Sequence, residues 1–126
     1  MTDAVHEGMA RAREELRAAA LLADNGFGAQ SVSRAYFAAF YAAEAALLHL
    51  GETRTKHSGV VSAFSRMVVR DRGLDEQAGR LLRSLFERRS QADYALDPVP
   101  GEESQKAVGD ASMVVEAVDR WLAAQP

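Results

Sequence analysis

The run from Ser33 to Leu48, SRAYFAAFYAAEAALL, constrains this chain more than any other segment. Ala35, Ala38, Ala39, Ala42, Ala43, Ala45 and Ala46 recur at helical rather than strand spacing, and their small side chains let another helix approach closely. Tyr36, Phe37, Phe40 and Tyr41 set large flat surfaces between them. A helix apolar over most of its circumference belongs at the centre of a bundle. Arg34 and Glu44 are the only charges on it, and an Arg34 that faces inward needs a partner.

The remaining segments supply that bundle's other members. A first helix is predicted from about Asp3 to Asp24, with Val5, Met9, Ala12, Leu16, Ala19 and Ala20 at three- and four-residue steps. Asn25-Gly26 and Gly28 end it. The aromatic helix then runs from near Gln30-Ser31 to Leu50, stopped by Gly51. GETRTK, residues 51–56, reads as a polar loop, and Ser58 as the N-cap of a shorter third helix carrying Val60, Val61, Phe64, Met67 and Val68. Arg72-Gly73 breaks it. A fourth helix begins at Leu74 or Asp75, with Ala78, Leu81, Leu82, Leu85 and Phe86 as its stripe, and ends in LFERRSQADY. Asp97-Pro98-Val99-Pro100-Gly101 is a rigid turn. The last helix spans about Glu102 to Ala123. No stretch alternates with period two. The expectation is an all-α, single-domain, up-and-down antiparallel bundle of four to five helices, residues 1–126.

Composition narrows the function classes. The chain has no cysteine, which removes disulfides, thiolate metal sites and Cys nucleophiles. The N-terminal MTDAVHEGMARAREEL has no signal-peptide-like apolar run. The longest apolar stretch, broken by Glu44 and His49, is too short to span a bilayer. A soluble cytoplasmic protein is expected. The net charge of −3 hides an asymmetry. Nine Lys/Arg face four Asp/Glu between Arg54 and Arg89, a balance of +5, and the rest of the chain carries −8. This basic middle is either a polyanion-attracting face or a solvated surface neutralised by neighbouring acids.

SRAYFAAFYAAEAALLHLG, then TKHSGV with Phe64, then LFERRSQADY and a closing amphipathic helix together resemble the HEPN domain family over nearly the whole chain. That family comprises small helical bundles of prokaryotes, often encoded beside a minimal nucleotidyltransferase. The resemblance implies a homodimer that binds a nucleotidyltransferase partner or RNA, as the toxin-like half of a toxin–antitoxin pair. Nuclease members carry an Arg followed four to six residues later by His, close to a dimer interface. Here the motif arginine aligns with Arg89. The positions where histidine would stand hold Asp93, Tyr94 and Ala95 counted from Arg88, or Tyr94, Ala95 and Leu96 counted from Arg89. The motif is therefore degenerate.

Arg89 and Asp93, one helical turn apart, can pair and leave guanidinium donors for a phosphate. Tyr94 suits hydrogen-bond donation better than general-base work at neutral pH. His57, between Lys56 and Ser58-Gly59, is either an acid/base or phosphate ligand near Arg89 or a packing residue whose ring nitrogens satisfy loop carbonyls. Arg34 either reaches the same groove or pairs with an acid of the first helix. Arg89, Asp93, Tyr94 and His57 are thus candidate catalytic residues of a metal-independent ribonuclease, and Arg34, Arg88 and Lys56 candidate phosphate or nucleic-acid contacts. The histidines lack metal-ligand spacing such as HExxH, and no cofactor is implied. The aromatic helix has more flat surface than one core needs, which favours self-association. A dimeric scaffold with no nucleic-acid role is the remaining reading.

Overall fold

The computed structural model describes residues 1–94 and 96–126. Ala95, one of the positions where the family motif would place a histidine, lies outside the described residues. Five α-helices form an up-and-down bundle without strands among the described residues: α1 (Asp3–Asp24), α2 (Gly28–His49), α3 (His57–Ala63), α4 (Glu76–Tyr94) and α5 (Gly101–Ala123). Among the described residues, no helix is long and apolar enough to cross a membrane.

The aromatic helix α2 is the central member and packs against all four others. Its alanines 35, 38, 39, 42, 43, 45 and 46 are all buried, so small residues at the contacts let the neighbours close in on several sides. Ser31 is the polar exception. Fully buried, it donates its hydroxyl to the Ala19 carbonyl of α1 at 2.8 Å, which satisfies it and stitches the two helices. Val5, Met9, Ala12 and Ala19 of α1, Leu82 and Leu85 of α4, and Val114, Val118 and Leu122 of α5 complete one continuous apolar core.

Boundaries follow local chemistry. The Thr2 hydroxyl caps α1 by accepting from the Val5 N–H at 3.3 Å. Gly26 closes that helix at φ +82°, and the Phe27 N–H returns to the Leu22 carbonyl at 2.9 Å. The next helix starts at Gly28 rather than near Gln30, because the tight turn leads straight into it. Lys56, not Ser58, precedes α3 in extended conformation. Asp75 caps α4 by accepting from the Gln77 N–H at 2.9 Å, so α4 begins at Glu76, after the expected start at Leu74 or Asp75.

Beyond α3 the chain continues as a π-helical stretch, Phe64–Arg70, which period-3.6 reasoning does not anticipate. Its wider turn keeps Phe64 and Val68 wholly buried, and Ser65 meets α4 where Gly79 has no side chain. A Cβ at Gly79 would stand 3.2 Å from Ser65 Oγ. Two residues past the stretch, the Arg72 carbonyl accepts from Nε1–H of Trp121 in α5 at 3.2 Å.

Candidate nucleic-acid interface

One stripe of α2, Arg34, Phe37, Tyr41 and Glu44, is only half-buried, because neither α1 nor α4 fully covers it. Phe37 is its centre. The Arg34 guanidinium lies 4.7 Å from the ring centroid and the Arg89 guanidinium of α4 lies 5.3 Å from it. Two cations from different helices thus share one aromatic ring. Each also has its own carboxylate. Arg34 pairs with Glu15 of α1 at 2.6 Å, and Arg89 Nε sits 2.8 Å from Asp93. Arg89 Nε is buried without a well-directed hydrogen bond, so Asp93 holds it by charge rather than by an aligned N–H. The remaining guanidinium donors of both arginines are uncommitted among the described residues.

Beneath this surface Tyr36 is fully buried, and its hydroxyl lies 2.9 Å from His57 Nδ1. Burial pushes the Tyr36 hydroxyl well above the usual phenol range, opposed by the Arg89 charge and reinforced by Glu44. The phenol therefore keeps its proton. Both groups are satisfied when the phenol donates to Nδ1, and on that ground we assign the imidazole proton to Nε2. His57 is itself stacked on Phe40 with centroids 4.2 Å apart. Burial, and then the positive Arg89, hold its pKa below the ordinary histidine value. Near neutral pH His57 is thus an uncharged ring whose basic nitrogen is occupied. It is equipped to donate from Nε2, not to take a proton.

That depressed pKa fixes the sign of a pH effect. The unfolded chain binds its His57 proton at higher pH than the folded chain does, so stability declines as pH falls below about 6.5 and levels off once the native ring also protonates. Urea midpoints should drop more between about pH 7.5 and about pH 5.5 in the wild type than in His57→Gln. Equal drops would remove His57 as a source.

The candidate residues therefore divide. Arg89, Asp93, His57 and Arg34 converge around Tyr36 and Phe37. Arg34 does so while also making the pair with an acid of the first helix. Arg88, about 100° further round the helix, turns to α5 and pairs with Asp110 at 2.9 Å, where Lys106 also pairs at 3.1 Å. Lys56 is exposed beside His57. Tyr94 is 86% exposed. Sequence reasoning missed Tyr36 as the partner of His57, and Glu15 as the particular acid that receives Arg34. Five of the nine cations of the basic middle, Arg54, Arg70, Arg80, Arg88 and Arg89, each lie within 4.0 Å of a carboxylate. The extra aromatic surface of α2 is covered by arginines, with Arg11 lying 5.0 Å over Tyr41.

Comparison with known proteins adds to this geometry. The HEPN domain profile matches residues 5–121. The candidate toxin MJ0605 of Methanocaldococcus jannaschii is 33% identical over 111 residues, covering 88% of this chain and 83% of that protein. A UPF0332 protein of Gloeobacter violaceus, glr0978, is 33% identical over 122 residues, covering 97% and 93% respectively. The crystal structure of TT1696 from Thermus thermophilus superposes with a TM-score of 0.74 at 18% identity, over 95% of this chain and 99% of that one, a likeness of fold alone.

Proposed function

The chain belongs to the HEPN domain family, and from that premise we propose that it is the toxin-like half of a toxin–antitoxin pair and binds RNA through the Arg34–Phe37–Arg89 surface. The observation that carries this reading is the convergence of two guanidiniums on the Phe37 ring. Each arginine is oriented by a carboxylate yet retains free donors in the fork geometry that suits phosphate. With Glu15 and Asp93 counted, the four charges sum to zero. Attraction is therefore short-range hydrogen bonding rather than a broad cationic field.

That balance makes a quantitative prediction. Binding of a fluorescein-labelled single-stranded RNA should weaken with salt at a log–log slope of only about −1.4, as expected for two phosphate contacts. A slope steeper than about −4 would assign binding to the wider basic surface instead. No salt-sensitive binding would favour a scaffold.

RNA cleavage is the second reading, and one bond counts against it. With Nδ1 occupied by the Tyr36 hydroxyl, His57 lacks a free basic nitrogen for the ribose 2′-hydroxyl. Incubation with structured RNA in EDTA should leave the RNA intact. Fragments that disappear in both Arg89→Gln and His57→Gln would establish the nuclease and overturn the assignment of His57 as a donor.

Self-association belongs to the same proposal, because paired copies would double the arginine surface along one RNA. Light scattering at tens of micromolar should give the mass of two chains. A single-chain mass would leave each RNA only one such surface. The partner would be a nucleotidyltransferase encoded in the adjacent gene.

A further inference from the structure

About two turns along α2 from Phe37, the same half-buried stripe opens into a separate pocket. Its volume is about 220 Å³, and its walls come from the start of α1, from α2 and from the α2–α3 loop. Gly8, Tyr41, Ala45 and Leu48 supply apolar lining. Gly8 is what lets α1 lie so close, since a Cβ there would approach the Ala45 Cβ to 3.2 Å. Two carboxylates face the pocket, and they differ. Glu52 is engaged at its edge by Arg54 at 3.0 Å. Glu44 makes no hydrogen bond or ion pair with any described residue, and burial alone moves its pKa, upward. Its lining position and half-burial leave it open to the pocket rather than sealed in the core.

A half-buried carboxylate without a partner, at one end of an apolar hollow, is matched by one ligand chemistry. It calls for a cationic head that gives Glu44 a charge-assisted hydrogen bond and an alkyl stem that displaces water from Leu48, Ala45 and the Tyr41 ring. Anions are disfavoured by Glu44, since the charge of Glu52 is balanced by Arg54. A guanidinium is already present as Arg54, but it is spent on Glu52 and on the Thr53 carbonyl at 2.7 Å. We propose that this pocket is a binding site for a primary alkylammonium group, with Glu44 as the anchor, whether carried by a free amine or by a lysine side chain of another protein. The site does not depend on the RNA-binding reading and stands or falls separately from it.

Titration of the ¹⁵N-labelled chain with 1-aminobutane tests it by NMR. Saturable shifts are expected at Gly8, Ala45 and Leu48. Glu44→Gln should weaken binding about tenfold or more while leaving the spectrum dispersed, and neutral butan-1-ol should bind similarly weakly to the wild type. A parallel titration with Nα-acetyl-lysine methylamide separates the sources. Tighter binding of the lysine derivative than of 1-aminobutane supports a lysine side chain as the occupant, and tighter binding of 1-aminobutane supports a free amine. Absence of saturable shifts, equal affinity in Glu44→Gln, or butan-1-ol binding as well as the amine would overturn the proposal.

Discussion

Tyr36→Ala should lower the free energy of unfolding by about 3–5 kcal/mol, a large share of the roughly 5–15 kcal/mol that holds an ordinary domain folded. The ring is fully buried and touches Phe37, Phe40, His57 and Phe86, so its removal leaves a void bordered by three helices. It also strips the hydroxyl from His57 Nδ1 and the ring from beneath Arg89, whose guanidinium lies 5.6 Å from the Tyr36 centroid. Tyr36→Phe separates these effects. It keeps the volume and should cost only about 1 kcal/mol, the worth of one hydrogen bond, while freeing Nδ1. Urea denaturation of both variants measures the difference. A loss in Tyr36→Phe as large as in Tyr36→Ala would mean that the hydrogen bond, not the packing, dominates at this position.

The same substitution should have opposite signs at two helical glycines. In a helix, Gly→Ala ordinarily stabilises by up to about 1 kcal/mol by restricting the unfolded chain. Gly109 lies on the exposed face of α5, where a Cβ meets nothing within 4 Å, and Gly109→Ala should gain about 0.4–1 kcal/mol. At Gly28 the Cβ would run into the backbone carbonyl oxygen of Val99 and stand 3.3 Å from its carbonyl carbon. Backbone cannot rotate aside as a side chain can, so the Pro98-Val99-Pro100 connector must lift off the start of α2. Gly28→Ala should therefore lose about 1–3 kcal/mol despite its better helix propensity. The connector also borders a cavity of about 500 Å³ lined by Arg88, Ser84 and Lys106, so its displacement should open that side of the bundle to proteolysis between α4 and α5. Matching denaturation midpoints for the two alanine variants would show that the connector is not seated as the structure has it.

What could be read from the sequence was whatever depends on near neighbours. The Ala-aromatic periodicity of residues 33–48 locates α2 at the centre, since no other segment can be covered on so many sides. Arg89–Asp93 follows from four-residue spacing, and a pairing for Arg34 follows from the cost of burying a lone cation. The divergence of Arg88 from Arg89 was equally available, because consecutive helical residues never share a face. The contact between Tyr36 and His57 was not, since the residues are 21 positions apart and meet only once α3 folds across α2. Nor was the π-helical stretch, which is set by how Phe64 and Val68 reach the core rather than by local propensity. The surplus aromatic surface of α2 suggested a face for another chain, yet arginines of the same chain cover Phe37 and Tyr41. Pattern alone does not distinguish a ring awaiting a partner from a ring capped by a guanidinium.

Fluorescence anisotropy with labelled single-stranded RNA, comparing wild type with Arg89→Gln at one fixed salt concentration, tests the central claim most directly. Arg89→Gln retains part of the stem but neither the charge nor the fork. A tenfold or greater loss of affinity is expected, with the urea midpoint little changed. Unchanged affinity in a folded Arg89→Gln protein would contradict the account.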